Sequence, residues 1–398
     1  MKVWLLSLLF FLHSLSLMSL EIQIDYTYDT NNFFNTDEKR AAIEAVADFY
    51  GDMISETLLR IDPADFTSAS WTPSITHPST GASIDLTELS VVPENVIIVY
   101  VGSRELGGST AGQAGPGGFS ASGISSAWFE RIRGRGSAGA AVSDPAARTD
   151  FSLWGGSIAF DIESTTPDTE RSWNFSQSSN ASGTEFISVA LHEMGHVLGL
   201  GTAHSWNNLI SAGTFTGSAA AQSFGTAPAA DAFHFQGSLN SELFGSFGVM
   251  HGNSRPVLML PSFTDTGSNF DVITDLDLAA MVDIGWELAP NTQFSASQLS
   301  PGAVTLNWNT VSFKNYTLNR GSAPNALSAV NISGAGDGAS RSWSDPSPLS
   351  DKGFYNLSVT DRVASPGVRE STELEPSSAD GEYRTITVEP IEVACEAH

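Results

Sequence analysis

Two histidines four residues apart, His192 and His196, enclose Glu193 in the stretch HEMGH. On an α-helix that spacing places both imidazoles on one face, one turn apart, where they can reach a single ion. Glu193 then lies beside the coordination position left open for water. There it can take a proton from metal-activated water and return it to a leaving amine. A catalytic zinc takes three protein ligands, so two histidines do not complete the site. No Asp or Glu occurs between His196 and Asp231, which removes a nearby carboxylate. His13 sits in the opening apolar stretch, His77 lies far upstream and His398 is the last residue, leaving His204, His234 and His251 as candidates.

The elements that must position these groups can be read from periodicity. Thr184 to Leu200 is predicted to be the metal-bearing helix, with Thr184 as N-cap, Glu185 at the positive end of the dipole, and Gly199 and Gly201 ending it. Residues 22–28 alternate as a half-buried strand does. Asp37 to Ile61 carries apolar residues at spacings of three and four up to Pro63, which predicts a helix. Asn95 to Val101 is a continuous apolar run, the pattern of a strand covered on both faces. Strand, helix and buried strand in that order predict a crossover unit on a partly parallel sheet. The Gly- and Ser-rich stretch 102–126 reads as a long surface loop, and Ser157 to Glu163 as another alternating strand. Arg131, Arg133 and Arg135 read as a solvated basic turn.

HEMGHVLG at 192–199 resembles the active-site helix of the metzincins, the clan of zinc proteases that includes serralysins, matrixins and leishmanolysin-like enzymes. Similar marks follow: FTGSAA at 215–220, His234 between Phe233 and Phe235, LMLPS at 258–262, and ITDLDLAAMVDIGW at 273–286, which resembles the clan's closing helix. The resemblance covers about residues 22–290. It implies a zinc endopeptidase in which His192 and His196 bind one catalytic Zn2+ and Glu193 is the general base. Met259 is similar to the methionine beneath such metal sites, and Ser157–Glu163 to the clan's substrate-binding edge strand. The third ligand departs from the commonest pattern, because Thr202 stands where matrixins and serralysins have a histidine. His234 fits the leishmanolysin-like arrangement, with a remote histidine beside an aromatic residue, and is preferred over His204 and His251. Matrixin latency uses a cysteine upstream of the catalytic domain. The sole cysteine here is Cys395, so no cysteine-based latency is expected.

The fold class expected is therefore α/β (α+β): a metzincin-like domain with a twisted mixed sheet and active-site helix at 21–290, after an export signal at 1–20. Past Pro290, short aromatic-bearing strands separated by Gly, Pro, Ser and Asp predict a fibronectin type III-like β-sandwich at 291–364, then an acidic tail at 365–398. A formal charge of −26 argues against nucleic acid, and no stretch after the signal is long and apolar enough to span a membrane. The expectation is a secreted enzyme acting on protein or peptide substrates, of unassigned oligomeric state. Calcium is compatible with such an enzyme, but no residue pattern marks a site for it. Two other readings use the same motif: an inactive metal-binding adhesion protein, or a zinc hydrolase acting on a non-peptide substrate.

Overall fold

The apolar run predicted to be covered on both faces is divided between two cores. In the computed structural model it forms a strand of nine residues, Val96–Arg104. Ile97, Val99 and Val101 enter one core, while Val96, Ile98 and Tyr100 enter the other. Alternation along a pleated strand does this automatically once both faces are covered. The structure describes residues 20–162, 171–175, 183–242, 254–263, 273–288, 294–300, 303–308, 310–322, 326–336, 341–347, 354–361 and 384–397. The export signal expected at 1–20 falls, but for Leu20, outside these residues. Among the described residues no helix is long and apolar enough to cross a membrane.

The elements that build the site are β1 (Glu21–Asp25), α1 (Asp37–Met53), β2 (Ser70–Thr76), β3 (Ser83–Asp85), β4 (Val96–Arg104), β5 (Thr110–Pro116) and β6 (Gly118–Gly123). They continue with α2 (Ser126–Gly134), β7 (Gly155–Asp161), α3 (Phe186–Val197), α4 (His204–Asn208), α5 (Ser218–Phe224), α6 (Asp275–Asp283), β8 (Arg384–Val388) and β9 (Val393–Ala397). The main sheet has the order β1-β4-β7-β5-β9, followed by Ser262–Phe263. β1, β4 and β7 are parallel, so β1, α1 and β4 belong to a parallel arrangement as expected. β5 then runs antiparallel to β7, and β9 antiparallel to β5. A second sheet has the order β8-β6-β2-β3. The larger core lies between the main sheet and α1, α3 and α6.

Several expectations are corrected. α1 ends at Met53, and Ile54 is extended with φ −85° and ψ 118°. Ile54, Leu58 and Ile61 are buried all the same, two of them through bridges to Leu288 and Val92, so a spacing shared with helices is met by extended chain. The stretch 102–126 is largely strand, namely the end of β4, then β5 and β6. Its glycines let neighbouring backbones approach closely, which is strand pairing without bulky side chains. β7 is interior, paired with β4 and β5, so Ser157–Asp161 is not the edge strand expected. Arg135 is fully buried and does not sit in a solvated turn. It follows α2 in the left-handed conformation, and its guanidinium donates to the carbonyls of Leu59, Pro93, Val96 and Leu153.

After residue 290 the described strands form two three-stranded antiparallel sheets around a small core of Leu306, Trp308, Tyr316 and Leu318. Val311 and Phe313 leave that core and join the main one, and the Ser312 amide donates to Asp275 at 2.9 Å. The end of the stretch read as an acidic tail is not a tail. β8 pairs with β6 and β9 with β5, so residues 384–397 lie within the sheets of the first domain.

Candidate metal centre

α3 carries the HEMGH stretch and is buried along its whole length. Its cap is Glu185, one residue beyond the expected Thr184. The Glu185 carboxylate accepts from the amides of Ile187 at 3.3 Å and Ser188 at 2.6 Å, placing negative charge at the positive helix end. Two buried side chains grip the helix backbone. The Tyr50 hydroxyl donates to the Leu191 carbonyl at 2.9 Å, and the Trp286 indole donates to Leu198 at 2.7 Å. α1 and the residues after α6 thereby fix where the histidines point.

His192, His196 and His234 converge, with all three buried. The Nε2 atoms of His192 and His196 are 3.0 Å apart, and those of His196 and His234 are 3.2 Å apart. On the far side of the rings, His192 Nδ1 lies 2.7 Å from the Leu258 carbonyl and His196 Nδ1 lies 2.7 Å from the Leu200 carbonyl. A carbonyl only accepts, so each Nδ1 carries the proton and each Nε2 presents a lone pair. Two lone pairs facing each other at 3.0 Å repel unless a cation lies between them. Tetrahedral zinc–nitrogen bonds of about 2.0–2.1 Å put ligand atoms about 3.3 Å apart, close to the separations found. The donor set therefore fits a zinc ion. Burial, reinforced by His234, pushes the His192 imidazole down to about 3. Burial also lowers His234 to about 4, and holds His196 well below its ordinary value. Neutral imidazoles are the form that ligates.

The third imidazole is delivered by a loop organised around Asp231. Its carboxylate accepts from the amides of Phe233 at 2.7 Å and His234 at 2.8 Å. The next residue, Phe235, is buried against Trp206 and Phe215, and its amide donates to the Met259 carbonyl at 2.9 Å. Phe233 points outward and is 49% exposed, so only one of the two flanking aromatics packs near the site. Thr202 has a different task from ligation: its hydroxyl donates to the His196 carbonyl at 2.7 Å, closing the end of α3. Gly199 and Gly201 there adopt φ +101° and +71°. His204 is exposed on α4 and does not join the cluster. His251 lies outside the described residues.

Met259 is fully buried under the helix. A Cβ added at Gly195 would lie 2.9 Å from its sulfur, so the two are in close contact. Sequence reasoning missed what holds this methionine in place. Asp277 of α6 accepts from the amides of Leu258 at 2.9 Å and Met259 at 3.1 Å, while closing a capping box with Thr274. The carbonyl that orients His192 therefore belongs to a residue pinned by Asp277. The T-D-L-D pattern at 274–277 was the available signal.

Glu193 sits on the same helix turn, is fully buried, and has one carboxylate oxygen, Oε2, with no hydrogen-bond partner. Its other oxygen is contacted by the Cys395 thiol of β9. Burial pushes the Glu193 carboxyl well up, with Glu392 adding to it, and burial together with Glu193 pushes the Cys395 thiol up. The chain has no cysteine upstream of the metal helix for latency, and the cysteine that reaches the site comes from the other end of the chain. His192, Glu193 and Cys395 form the second group of potential metal-binding side chains among the described residues.

Residues 152–216 match the family model of the matrixins. That segment includes β7, α3 and α4 with His192, Glu193 and His196, and stops before His234 and Met259. Together with the histidine cluster, the match supports a metzincin-type zinc metalloprotease. No curated protein and no solved structure matches the chain.

Proposed function

We propose that this chain is a secreted zinc metalloendopeptidase in which His192, His196 and His234 hold the ion and Glu193 is the general base. One observation carries the reading: three buried imidazoles bring their Nε2 atoms together, with a buried carboxylate on the adjoining helix position that has one oxygen unpartnered. A structural zinc site would have no use for that carboxylate. Bound zinc supplies Lewis acidity, which polarises a carbonyl and makes water acidic at neutral pH.

The residues around it do the rest. Leu258 and Leu200 carbonyls hold the imidazole tautomers, and Met259 supports α3 from below. An extended peptide can pair by backbone hydrogen bonds with the side of β5 on which β9 lies in this structure. Glu193 faces Gly112 of that strand, and a Cβ there would overlap its carboxylate. A peptide laid along β5 thus passes directly over the base, which takes a proton from water and delivers it to the leaving nitrogen. We read the two three-stranded sheets after residue 290 as the fibronectin type III-like module.

The test is cleavage of casein and of a quenched fluorescent peptide by the zinc-loaded protein. Activity should vanish with a chelator and return with zinc. Glu193→Gln should keep the metal and lose about 10²–10⁴-fold in kcat/KM, the usual worth of a general base. Cleavage that is insensitive to both would overturn the reading.

A further inference from the structure

The sheet edge that a peptide needs is already taken. β9 lies antiparallel along β5 with Val393 opposite Ala114, Ala394 opposite Gln113 and Cys395 opposite Gly112. Val393 and Cys395 face inward and are buried, while Ala394 faces outward, the alternation of an extended ligand in a groove. Close approach depends on glycines of β5. A Cβ at Gly115 would overlap the Ile391 carbonyl, as one at Gly112 would overlap Glu193. An ion pair between Arg104 and Glu392, at 3.1 Å with both side chains nearly buried, fastens the strand where it enters.

We propose that β9 is an internal occupant of the substrate groove, which keeps the metal centre closed by seating the Cys395 thiol against Glu193. The inference rests on the protease reading and adds a regulated state to it. Two independent observations support it beyond the cysteine itself. Glu193, His192 and His196 have no solvent exposure while the strand is seated, so no peptide can reach them. Glu193 Oε2 is buried with no partner, a cost that a permanently closed structural core would not be expected to keep. A groove built to receive a peptide and water would carry such an atom. The strand is held by four residue pairs to β5, two to Ser262–Phe263, one ion pair and one thiol contact, and it makes no pairing with the parallel strands β1, β4 and β7.

The experiment compares zinc-loaded full-length protein, Glu392→Lys, and a chain ended at Glu389. Glu392→Lys sets a cation against Arg104 and expels β9 without shortening the chain, which covers the case that the shortened chain fails to fold. Both variants should raise kcat/KM on a quenched peptide at least tenfold with zinc content unchanged. A synthetic peptide of residues 389–398 should inhibit them competitively. Cys395 should react slowly with Ellman's reagent in the native full-length protein and at least tenfold faster in Glu392→Lys. Equal activity of full-length protein and Glu392→Lys, or a native Cys395 that reacts as a free thiol, would overturn the proposal. Should every form bind zinc yet cleave nothing, the protease reading fails, while thiol release still decides whether β9 is displaceable.

Discussion

His196 and His234, 38 residues apart in the chain, meet Nε2 to Nε2 at 3.2 Å. Each approaches from a different direction: His196 from α3, and His234 from a loop tied to Met259 through Phe235. With His192 they form a buried trio of imidazoles in which the Nε2 lone pairs of His192 and His196 face each other, an arrangement that a cation between them relieves.

Replacing His234 by alanine is therefore expected to weaken zinc binding by more than about 100-fold, beyond what the loss of an outer-sphere partner costs. His204→Ala, on the exposed start of α4, should leave zinc stoichiometry unchanged. Metal content after dialysis against a zinc buffer separates the two, and equal retention by both variants would remove His234 from the site.

Asp277 supports the site from outside. Asp277→Ala strips the partner from the buried amides of Leu258, Met259 and Thr274. The expected loss is about 3 kcal/mol or more in urea unfolding, at about 1–3 kcal/mol for each unsatisfied buried group. Because Leu258 also orients His192, zinc affinity should fall by about 10–100-fold. A variant that is destabilised but binds zinc normally would limit Asp277 to a folding role.

Gly112 is required bare. Gly112→Ala drives a methyl into the Glu193 carboxylate and should displace the base while the three imidazoles stay in place. We expect full zinc occupancy, kcat/KM lower by at least about tenfold, and a stability loss of about 1–3 kcal/mol from overpacking. Unchanged activity would mean that Glu193 is free to move.

The pH dependence of the metal-free protein follows from His234. Its folded value of about 4 is depressed from the ordinary 6.5, mainly by burial. Between those values the unfolded chain binds a proton that the folded chain does not, so stability falls as pH drops through this window. Below about pH 4 both forms are protonated and the contribution is gone. The buried carboxyl of Asp283, raised to about 6 mainly by burial, works in the opposite sense. The native chain and His234→Ala share Asp283, and burial, the larger cause, still keeps His192 and His196 low when His234 is removed, so above about pH 4.5 the difference reports mainly the His234 imidazole. The slope of stability against pH should be shallower in the variant by about 1.4 kcal/mol per pH unit between about pH 6 and 4.5. Parallel slopes in metal-free urea titrations would contradict the buried neutral imidazole.

What the sequence determined on its own was local. His192, Glu193 and His196 share a helical face because a turn of 3.6 residues brings positions four apart together, whatever the rest of the chain does. The run at 95–101 reads as a doubly covered strand because it is short, rich in β-branched residues and apolar at consecutive positions, and both of its faces are buried in cores. Sequence patterns failed where a spacing served two backbones, as at Ile54, Leu58 and Ile61, and where glycine-rich chain made strands by backbone pairing alone, as in β5. Tertiary structure decided what depended on pairings between distant segments. It brought His234 to His196, set Asp277 behind the carbonyl that orients His192, and laid β9 along β5 so that Cys395 reached Glu193. Those contacts follow from sheet order and strand register, which no residue spacing within one segment records.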